Sequence, residues 1–318
     1  MLCKAIEASK VDVPTVHDVE GSWFQNQLIP KGDIVNLPMS DADHARNRAS
    51  QIHLGVKFDG AFVLPKGGPR EKGEMIYYGK KGQYRAGEII GILLLDTVLP
   101  LPPGDVANAT TYPFPVHYKV VKGASVERLI YQRDPTLLQP FIEAGWELIR
   151  EDAKAITSDC GYMILFQEDL ANELPAFVFL SSLLQIPFIH RMLRRDEKVG
   201  IIAADSRNLT ERHLHIAGVD DLKRVKVVGM EDQPNFLRGT LREEGVLNFE
   251  KVETEVVGKA KELVASDDEV KAVLLECSNL PPYATAIRET VNLPVYDFNT
   301  MISYIFSSLV RRRYEGFV

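Results

Sequence analysis

The segment Lys154-Ala155-Ile156-Thr157-Ser158-Asp159-Cys160-Gly161 decides the fold, because the chain repeats it. At 117 positions on (277 minus 160) the sequence reads Lys271-Ala272-Val273-Leu274-Leu275-Glu276-Cys277-Ser278. Each copy is a short apolar run that predicts a buried strand, carrying a carboxylate and then a thiol out at its C-terminal end. A helical segment follows each thiol. Open α/β sheets bind ligands outside the carboxyl ends of their strands. Two such ends, each with one cysteine, predict a pocket with a thiol on either side.

The repeat extends outward from both copies. Val199-Gly200-Ile201-Ile202-Ala203-Ala204-Asp205-Ser206 matches Ile90-Gly91-Ile92-Leu93-Leu94-Leu95-Asp96-Thr97 position for position. Lys226-Val227-Val228 echoes Lys119-Val120-Val121 at nearly the same distance downstream. Helical spacing over 136–150, with Leu138, Phe141, Ile142, Gly145, Leu148 and Ile149 on one face, precedes the first thiol strand. A second clear helix over 249–265, with Val252, Val256, Ala260 and Leu263 on one face, precedes the other. Shorter helices are expected over 165–173, 182–193 (interrupted near Pro187), 283–290 and 299–312, and strands over 176–180 and 295–297. Alternation of strand and helix implies parallel sheets with right-handed crossovers. The expected fold is α/β, with two pseudo-symmetric Rossmann-like lobes and a cleft between them. Lobe 1 is drawn over 88–195 together with 295–318, and lobe 2 over 196–294.

Residues 1–87 do not fit this pattern and read as an N-terminal extension of uncertain order. They are rich in Gly, Lys, Asp and Pro, with turn signals at Pro65-Lys66-Gly67-Gly68-Pro69 and Lys80-Lys81-Gly82 and short strand candidates over 60–64 and 74–78. The Gly67-Gly68 turn lacks the Gly-Lys-Ser/Thr ending of a phosphate loop.

With 318 residues, 45% of them apolar and 25% charged, the chain has the balance of a globular protein with room for two cores. A net charge of −7 gives no electrostatic reason to expect nucleic acid. Arg311-Arg312-Arg313 reads as the solvated last turn of a helix, where cations complement the dipole. Three cysteines form no disulfide framework, and Cys3 has no counterpart and no assigned role. The first ten residues hold no long apolar run, and no segment reaches the roughly 18–20 apolar residues needed to cross a bilayer. The expectation is a cytoplasmic protein with no membrane partner. A homo-oligomer is neither required nor excluded.

Two thiols facing one cleft suit removal of a proton from one face of a carbon and its return on the other. A free thiol titrates near 8.5 and is expected lower beside a helix N-terminus. Backbone amides at Gly161-Tyr162 and Ser278-Asn279 are placed to hold a substrate carboxylate, which stabilises a carbanion next to it. No cofactor and no metal is required. Asp96, Thr97, Asp205 and Ser206 end the first strand of each lobe and are expected to border the cleft, by substrate hydrogen bonding or by capping. Ser181-Ser182 and Asp297, Asn299 and Thr300 stand at the next strand ends, with the same two readings. His190, His213 and His215 have no ligand spacing with the cysteines, and there is no Gly-x-Ser-x-Gly elbow.

These residues resemble the aspartate/glutamate racemase superfamily, a cofactor-independent group that includes amino-acid and hydantoin racemases, maleate isomerases and arylmalonate decarboxylases. The resemblance covers residues 87–318. It rests on the opening Ile90-Gly91-Ile92 strand, the two strand-end cysteines, and Pro294-Val295-Tyr296-Asp297 before a closing helix. It implies two Rossmann-like lobes, a C-terminal helix packed back on the first, and Cys160 and Cys277 as acid/base thiols. Amino-acid racemases of the group typically carry Asn-Thr where this chain has Gly161-Tyr162, and Thr with Glu or His where it has Ser278-Asn279. The amino-acid-specific pattern is therefore absent, while both thiols remain.

The function expected from the sequence is a cofactor-independent racemase or epimerase acting on a small carboxylate-bearing compound. The alternatives are covalent cysteine chemistry of the maleate-isomerase type, or a two-lobed small-ligand-binding protein without turnover.

Overall fold

The computed structural model describes Lys81 and residues 83–314. Most of the expected extension, with Cys3 and the turn at 65–69, lies outside the described residues.

The two lobes are built alike. The first sheet has four parallel strands, β1 (Ile90–Leu95), β2 (Val116–Val121), β3 (Ala155–Ser158) and β4 (Phe177–Val178), in the order β2-β1-β3-β4. The second has β5 (Lys198–Ala203), β6 (Val225–Gly229), β7 (Val270–Leu275) and β8 (Val295–Tyr296), in the order β6-β5-β7-β8. Register is equally parallel: Ile90 pairs with Val116 on one side and Ala155 on the other, and Val199 pairs with Val225 and Ala272.

Helix α1 (Leu138–Arg150) covers the first sheet with Phe141, Ala144, Gly145 and Leu148 buried. Its counterpart in lobe 2, α5 (Phe249–Ser266), follows the shorter helices α2 (Gln167–Glu173), α3 (Ile186–Met192) and α4 (Glu211–Ile216) and buries Val252, Val256, Ala260 and Leu263. The matching glycines of β1 and β5 set how closely these helices approach. A Cβ on Gly91 would lie 2.9 Å from Leu148 Cδ1, and one on Gly200 would lie 2.6 Å from Leu263 Cδ2. Each fully buried leucine of this kind contributes about 1.5–3 kcal/mol against exposure. The missing side chains are what let those leucines seat.

Helix α6 (Ala284–Val291) packs on α5, and the closing helix α7 (Phe298–Leu309) returns to lobe 1. There Phe298, Met301 and Ile302 share a core with Ile90, Ile92, Val116 and Ala155. Asp297 starts α7: its Oδ1 accepts the Thr300 N–H at 2.8 Å while Thr300 Oγ1 accepts the Asp297 N–H at 2.9 Å. The helix stops at Leu309, so Arg311, Arg312 and Arg313 lie past its end rather than in its last turn. The interruption expected near Pro187 is real. A 3₁₀ turn, Ser182–Gln185, passes into α3 one residue before it, where proline's missing N–H is tolerated.

The pseudo-symmetry reaches details that periodicity does not carry. After β2, a wide π-helical turn spans Glu127–Tyr131, closed by Gln132 N–H to Glu127 O at 3.0 Å. After β6, another spans Leu237–Leu241, closed by Arg242 N–H to Leu237 O at 2.9 Å. Both end on a left-handed residue, Arg133 at φ 50° and Glu243 at φ 52°. Both are braced by an ion pair, Arg128 to Asp134 at 2.7 Å and Arg238 to Glu244 at 2.8 Å.

Candidate active site

In each sheet the chain leaves the inner strand toward one neighbour and returns on the other side, so β1/β3 and β5/β7 are the switch points where a crevice opens. Cys160 follows β3 and Cys277 follows β7. Each therefore emerges at the crevice of its own lobe.

The backbone just before each thiol is fixed in the same way. Asp159 N–H donates to Leu93 O at 3.0 Å, and Glu276 N–H donates to Ile202 O at 3.0 Å. Their carboxylates reach back to the same strand: both oxygens of Asp159 sit 3.1 Å from the Leu95 N–H, and Glu276 Oε2 accepts the Ala204 N–H at 3.1 Å.

Side chains after the thiols then stitch the lobes together. The Ser278 hydroxyl donates to Asp159 O, and the Ser182 hydroxyl donates to Leu275 O at 2.8 Å. The Tyr162 hydroxyl donates to Asp205 O at 2.6 Å and accepts the Asp205 N–H at 3.1 Å. Asn279 Nδ2 donates to Asp105 Oδ2 at 2.7 Å, which ties the Pro-rich loop after β1 to the second thiol turn. These partners are buried or half-buried and sequence-distant, so the network fixes how the two thiol turns face each other.

Between the turns lies a cleft of about 380 Å³, counted out to its open mouth. Lobe 1 lines it with Leu95, Thr97, Leu99, Val126, Ile130 and the run Asp159 to Tyr162. Lobe 2 supplies Ala204, Thr240, Leu241 and the run Glu276 to Asn279. No Lys, Arg or His is among these lining residues. The walls are apolar, and the charge-bearing groups are carboxylates and thiols.

That composition sets the electrostatics. Burial holds the Glu276 carboxyl up at about 8, against the single Ala204 N–H that favours its charged form. Burial also raises Asp159 to about 7, partly offset by the Leu95 N–H, with Asp105 adding to the rise. Asp105 itself is lifted to about 6 by burial, with Asn279 and the Ala107 N–H pulling the other way. Burial pushes both thiols well above their ordinary value, and the charge on Glu276 pushes each further. The Tyr162 N–H opposes this at Cys160 and the Asn279 N–H opposes it at Cys277, without reversing the direction.

This corrects the expectation that adjacent amides would lower the thiols. One charge-assisted hydrogen bond is worth about 1.5–3 kcal/mol. Desolvation together with a nearby carboxylate outweighs it here.

Of the residues singled out in the sequence, the structure brings Cys160, Gly161, Tyr162, Cys277, Ser278, Asn279 and Thr97 to the cleft wall. It does not bring Asp96, Ser206 or Ser181. Asp96 turns out to solvent and accepts the Gly123 N–H at 3.1 Å, capping the turn after β2. Ser206 donates to Glu231 Oε1 at 2.6 Å. Ser181 accepts the Leu183 N–H at 3.3 Å, where it caps the Ser182–Gln185 turn. Asp205 caps its own loop through Arg207 N–H and Asn208.

Missed by sequence reasoning were Val126, Ile130, Thr240 and Leu241 from the wide turns, and Leu99 from the Pro-rich loop. Asp105, hydrogen-bonded to Asn279 behind that wall, was missed as well. The carboxylate-thiol pairs Asp159-Cys160 and Glu276-Cys277 were visible as a repeat. The effect of their charge on the thiols shows only once both are buried side by side.

No protein-family model matches the chain. Among solved structures, unliganded arylmalonate decarboxylase is similar at a TM-score of 0.46 with 12% identity, over 69% of this chain and 91% of that one. Allantoin racemase from Pseudomonas fluorescens is similar at a TM-score of 0.43 with 16% identity, over 70% of this chain and 91% of that one. Sequence relatives are nearer. Dimethylsulfoniopropionate lyase 3 of Emiliania huxleyi is 32% identical over 235 residues, covering 70% of this chain and 60% of that protein. Dimethylsulfoniopropionate lyase 7 of the same organism is 30% identical over 235 residues, covering 70% of this chain and 67% of that protein. A dimethylsulfoniopropionate lyase of Durusdinium sp. clade D is 34% identical over 214 residues, covering 65% of this chain and 70% of that protein. On that identity and coverage, the chain belongs to the dimethylsulfoniopropionate lyase family.

Proposed function

We propose that this chain is a lyase that cleaves dimethylsulfoniopropionate, or a closely related sulfonium carboxylate, by β-elimination. The observation that carries the reading is the charge of the cleft: two thiols and buried carboxylates, with no cationic side chain on the wall. Such a site disfavours a second substrate carboxylate, as in aspartate or glutamate, and favours a compound bearing a fixed positive charge. A sulfonium two carbons from a carboxylate meets that requirement, and it is the compound named for the relatives.

The chemistry follows from the residues. A thiolate of Cys160 or Cys277 removes a proton from the carbon next to the substrate carboxylate. The electrons of that C–H bond form the carbon–carbon double bond, and the bond from the β-carbon to sulfur breaks. Its electron pair leaves with the sulfur as neutral dimethyl sulfide. Acrylate remains, and the abstracted proton rests on the thiol until it returns to water. Backbone amides after the thiols are suited to hold the substrate carboxylate, which makes the adjacent proton easier to remove. Dimethyl sulfide is small and apolar, matched to walls such as Leu95, Leu99, Val126, Ile130 and Leu241.

The raised thiols fit this substrate. A positive charge about 4 Å away is worth about 4 kcal/mol at an effective dielectric of about 20, or roughly 3 pK units. The substrate therefore brings the charge that lets a thiol ionise.

The symmetric placement of the two thiols favours a second reading, racemisation or epimerisation of a small carboxylate through removal on one face and return on the other. Proton NMR in D2O separates the two. Dimethylsulfoniopropionate and a panel of chiral α-substituted acids are offered to the purified chain. Acrylate and dimethyl sulfide formed in equal amounts, with no exchange in the panel, would uphold elimination. Thiol-dependent α-exchange of a chiral acid, with the sulfonium compound untouched, would overturn it in favour of the racemase.

A further inference from the structure

Glu276 is the least comfortable polar group in the cleft. Its Oε2 accepts the Ala204 N–H at 3.1 Å, but Oε1 is buried with no hydrogen-bond partner. Buried polar atoms almost always find a partner, and the exceptions mark sites where something else must supply it. Glu276 stands immediately before Cys277, and across the cleft its carboxyl packs on Gly161, immediately after Cys160. A Cβ at position 161 would collide with Oε1 and lie 2.7 Å from Glu276 Cδ. Only glycine leaves room for a carboxyl there. The groups that feel its charge are Cys160 and Tyr162 from lobe 1 and Cys277 beside it, and the carboxylates Asp159 and Asp105 face the same thiols. None of these is a cation.

We propose that Glu276 is the residue that selects a cationic substrate: its carboxyl, wedged between the two thiol turns with one oxygen unpartnered, ties the reactivity of both thiols to the arrival of positive charge. This deepens the elimination reading and rests on it. In this arrangement Glu276 is a positioning residue that acts through Cys160 and Cys277. When it is ionised and no cation faces it, its charge holds both thiols in the unreactive protonated form. A sulfonium offsets that charge, so a thiolate forms only beside the substrate it is to attack. Neutral thioether acids such as 3-(methylsulfanyl)propionate have the same carbon skeleton and carboxylate but no such charge, and are left alone.

The test is alkylation of the full chain by iodoacetamide across pH 6–10, with Cys160 and Cys277 peptides quantified by mass spectrometry, for wild type, Glu276→Gln and Glu276→Asp. In Glu276→Gln, the pH midpoint for both cysteines is expected to fall by about one unit or more, which approaches tenfold faster alkylation above about pH 9, where Glu276 of the wild type is charged. In Glu276→Asp, which keeps the charge, the midpoint is expected to stay near that of wild type. A folded Glu276→Gln protein with an unmoved midpoint would overturn the role of Glu276.

Should Glu276→Gln fail to fold, calorimetry on the wild type takes its place. The preference for dimethylsulfoniopropionate over 3-(methylsulfanyl)propionate is expected to grow as pH rises through 8, and a pH-independent preference would overturn the proposal. Because alkylation needs no turnover, the two readings fail separately. A wild type that releases no dimethyl sulfide would remove the elimination reading, whatever the midpoints do.

Discussion

Gly161 and Glu276 fit each other across the two lobes: the carboxyl of Glu276 fills the space that a side chain at 161 would occupy. The contact joins the turn after one thiol to the residue before the other. Alanine at 161 must therefore push Glu276 away and the thiol turns apart. Gly161→Ala is expected to lower turnover about 100-fold, since a shift of about 1 Å at a reacting pair costs that much, and to lower the melting temperature. Gly258→Ala serves as the control. That glycine lies on the exposed face of α5 with nothing within 4 Å of a Cβ, so its replacement should stabilise by about 0.5–1 kcal/mol. Thermal melts and dimethyl sulfide release on the two variants check both statements.

Elimination needs one base, whereas racemisation needs two. Replacing the thiol that serves as base by serine should cost about 10²–10⁴ in turnover. Replacing the other should cost distinctly less. Cys160→Ser and Cys277→Ser, each assayed for dimethyl sulfide and acrylate, are expected to give this unequal pair. Equal and complete losses would instead point to a mechanism that passes the proton through both.

Stability should fall as pH rises through neutrality. Glu276 and Asp159 are held up at about 8 and about 7 in the folded chain, above their ordinary range of about 4. Between those limits the folded state binds more protons than the unfolded one, so the unfolding free energy has a negative slope with pH. The stabilisation is complete below the unfolded values and is lost as pH passes the folded ones. His213, which burial lowers to about 4, works in the opposite sense only below its ordinary value near 6.5. From pH 6.5 to about 8 the carboxyls therefore set the slope, and from there to pH 9 the two raised thiols add to the fall in the same direction. The melting temperature is expected to drop across this range by roughly 5 °C or more, and Glu276→Gln should flatten the drop.

The tie between Asn279 and Asp105 should be stabilising on its own account. Asp105 is 1% exposed, and Asn279 Nδ2 is its side-chain donor across the lobes. Asn279→Ala leaves a buried carboxylate without that donor, at a cost of about 1–3 kcal/mol. Chemical denaturation should show that loss. Asp105→Asn/Asn279→Ala, with the charge removed as well, should recover part of it.

The sheets were legible in the sequence because strands buried on both faces leave an unmistakable aliphatic signature, as in Ile90 to Leu95 and Val199 to Ala204. That the strands Ala155–Ser158 and Val270–Leu275 each lead into a carboxylate and a thiol placed the crevice as well. Three candidates at strand ends went astray for one reason. Asp96, Ser206 and Ser181 are good turn formers, and at a strand end a nearby group claims such a side chain before a cleft can: an orphan N–H for Asp96 and Ser181, the Glu231 carboxylate for Ser206. The wide turns carrying Ile130 and Thr240 were invisible, since a π-helical turn has no hydrophobic period to read. The lyase family was out of reach for a different reason. Residue types located the thiols, but the elimination proposed here rests on the sign of charge around them, and that sign emerges only when Asp159, Glu276 and Asp105 are seen around one cleft.

The most direct measurement is the yield of dimethyl sulfide and acrylate from dimethylsulfoniopropionate, for the wild type and for Cys160→Ser/Cys277→Ser. An acidic two-thiol cleft that eliminates a sulfonium predicts equal yields of both products from the wild type and none above background from the double variant. Release that survives the loss of both thiols, or no release from a folded wild type, would contradict it.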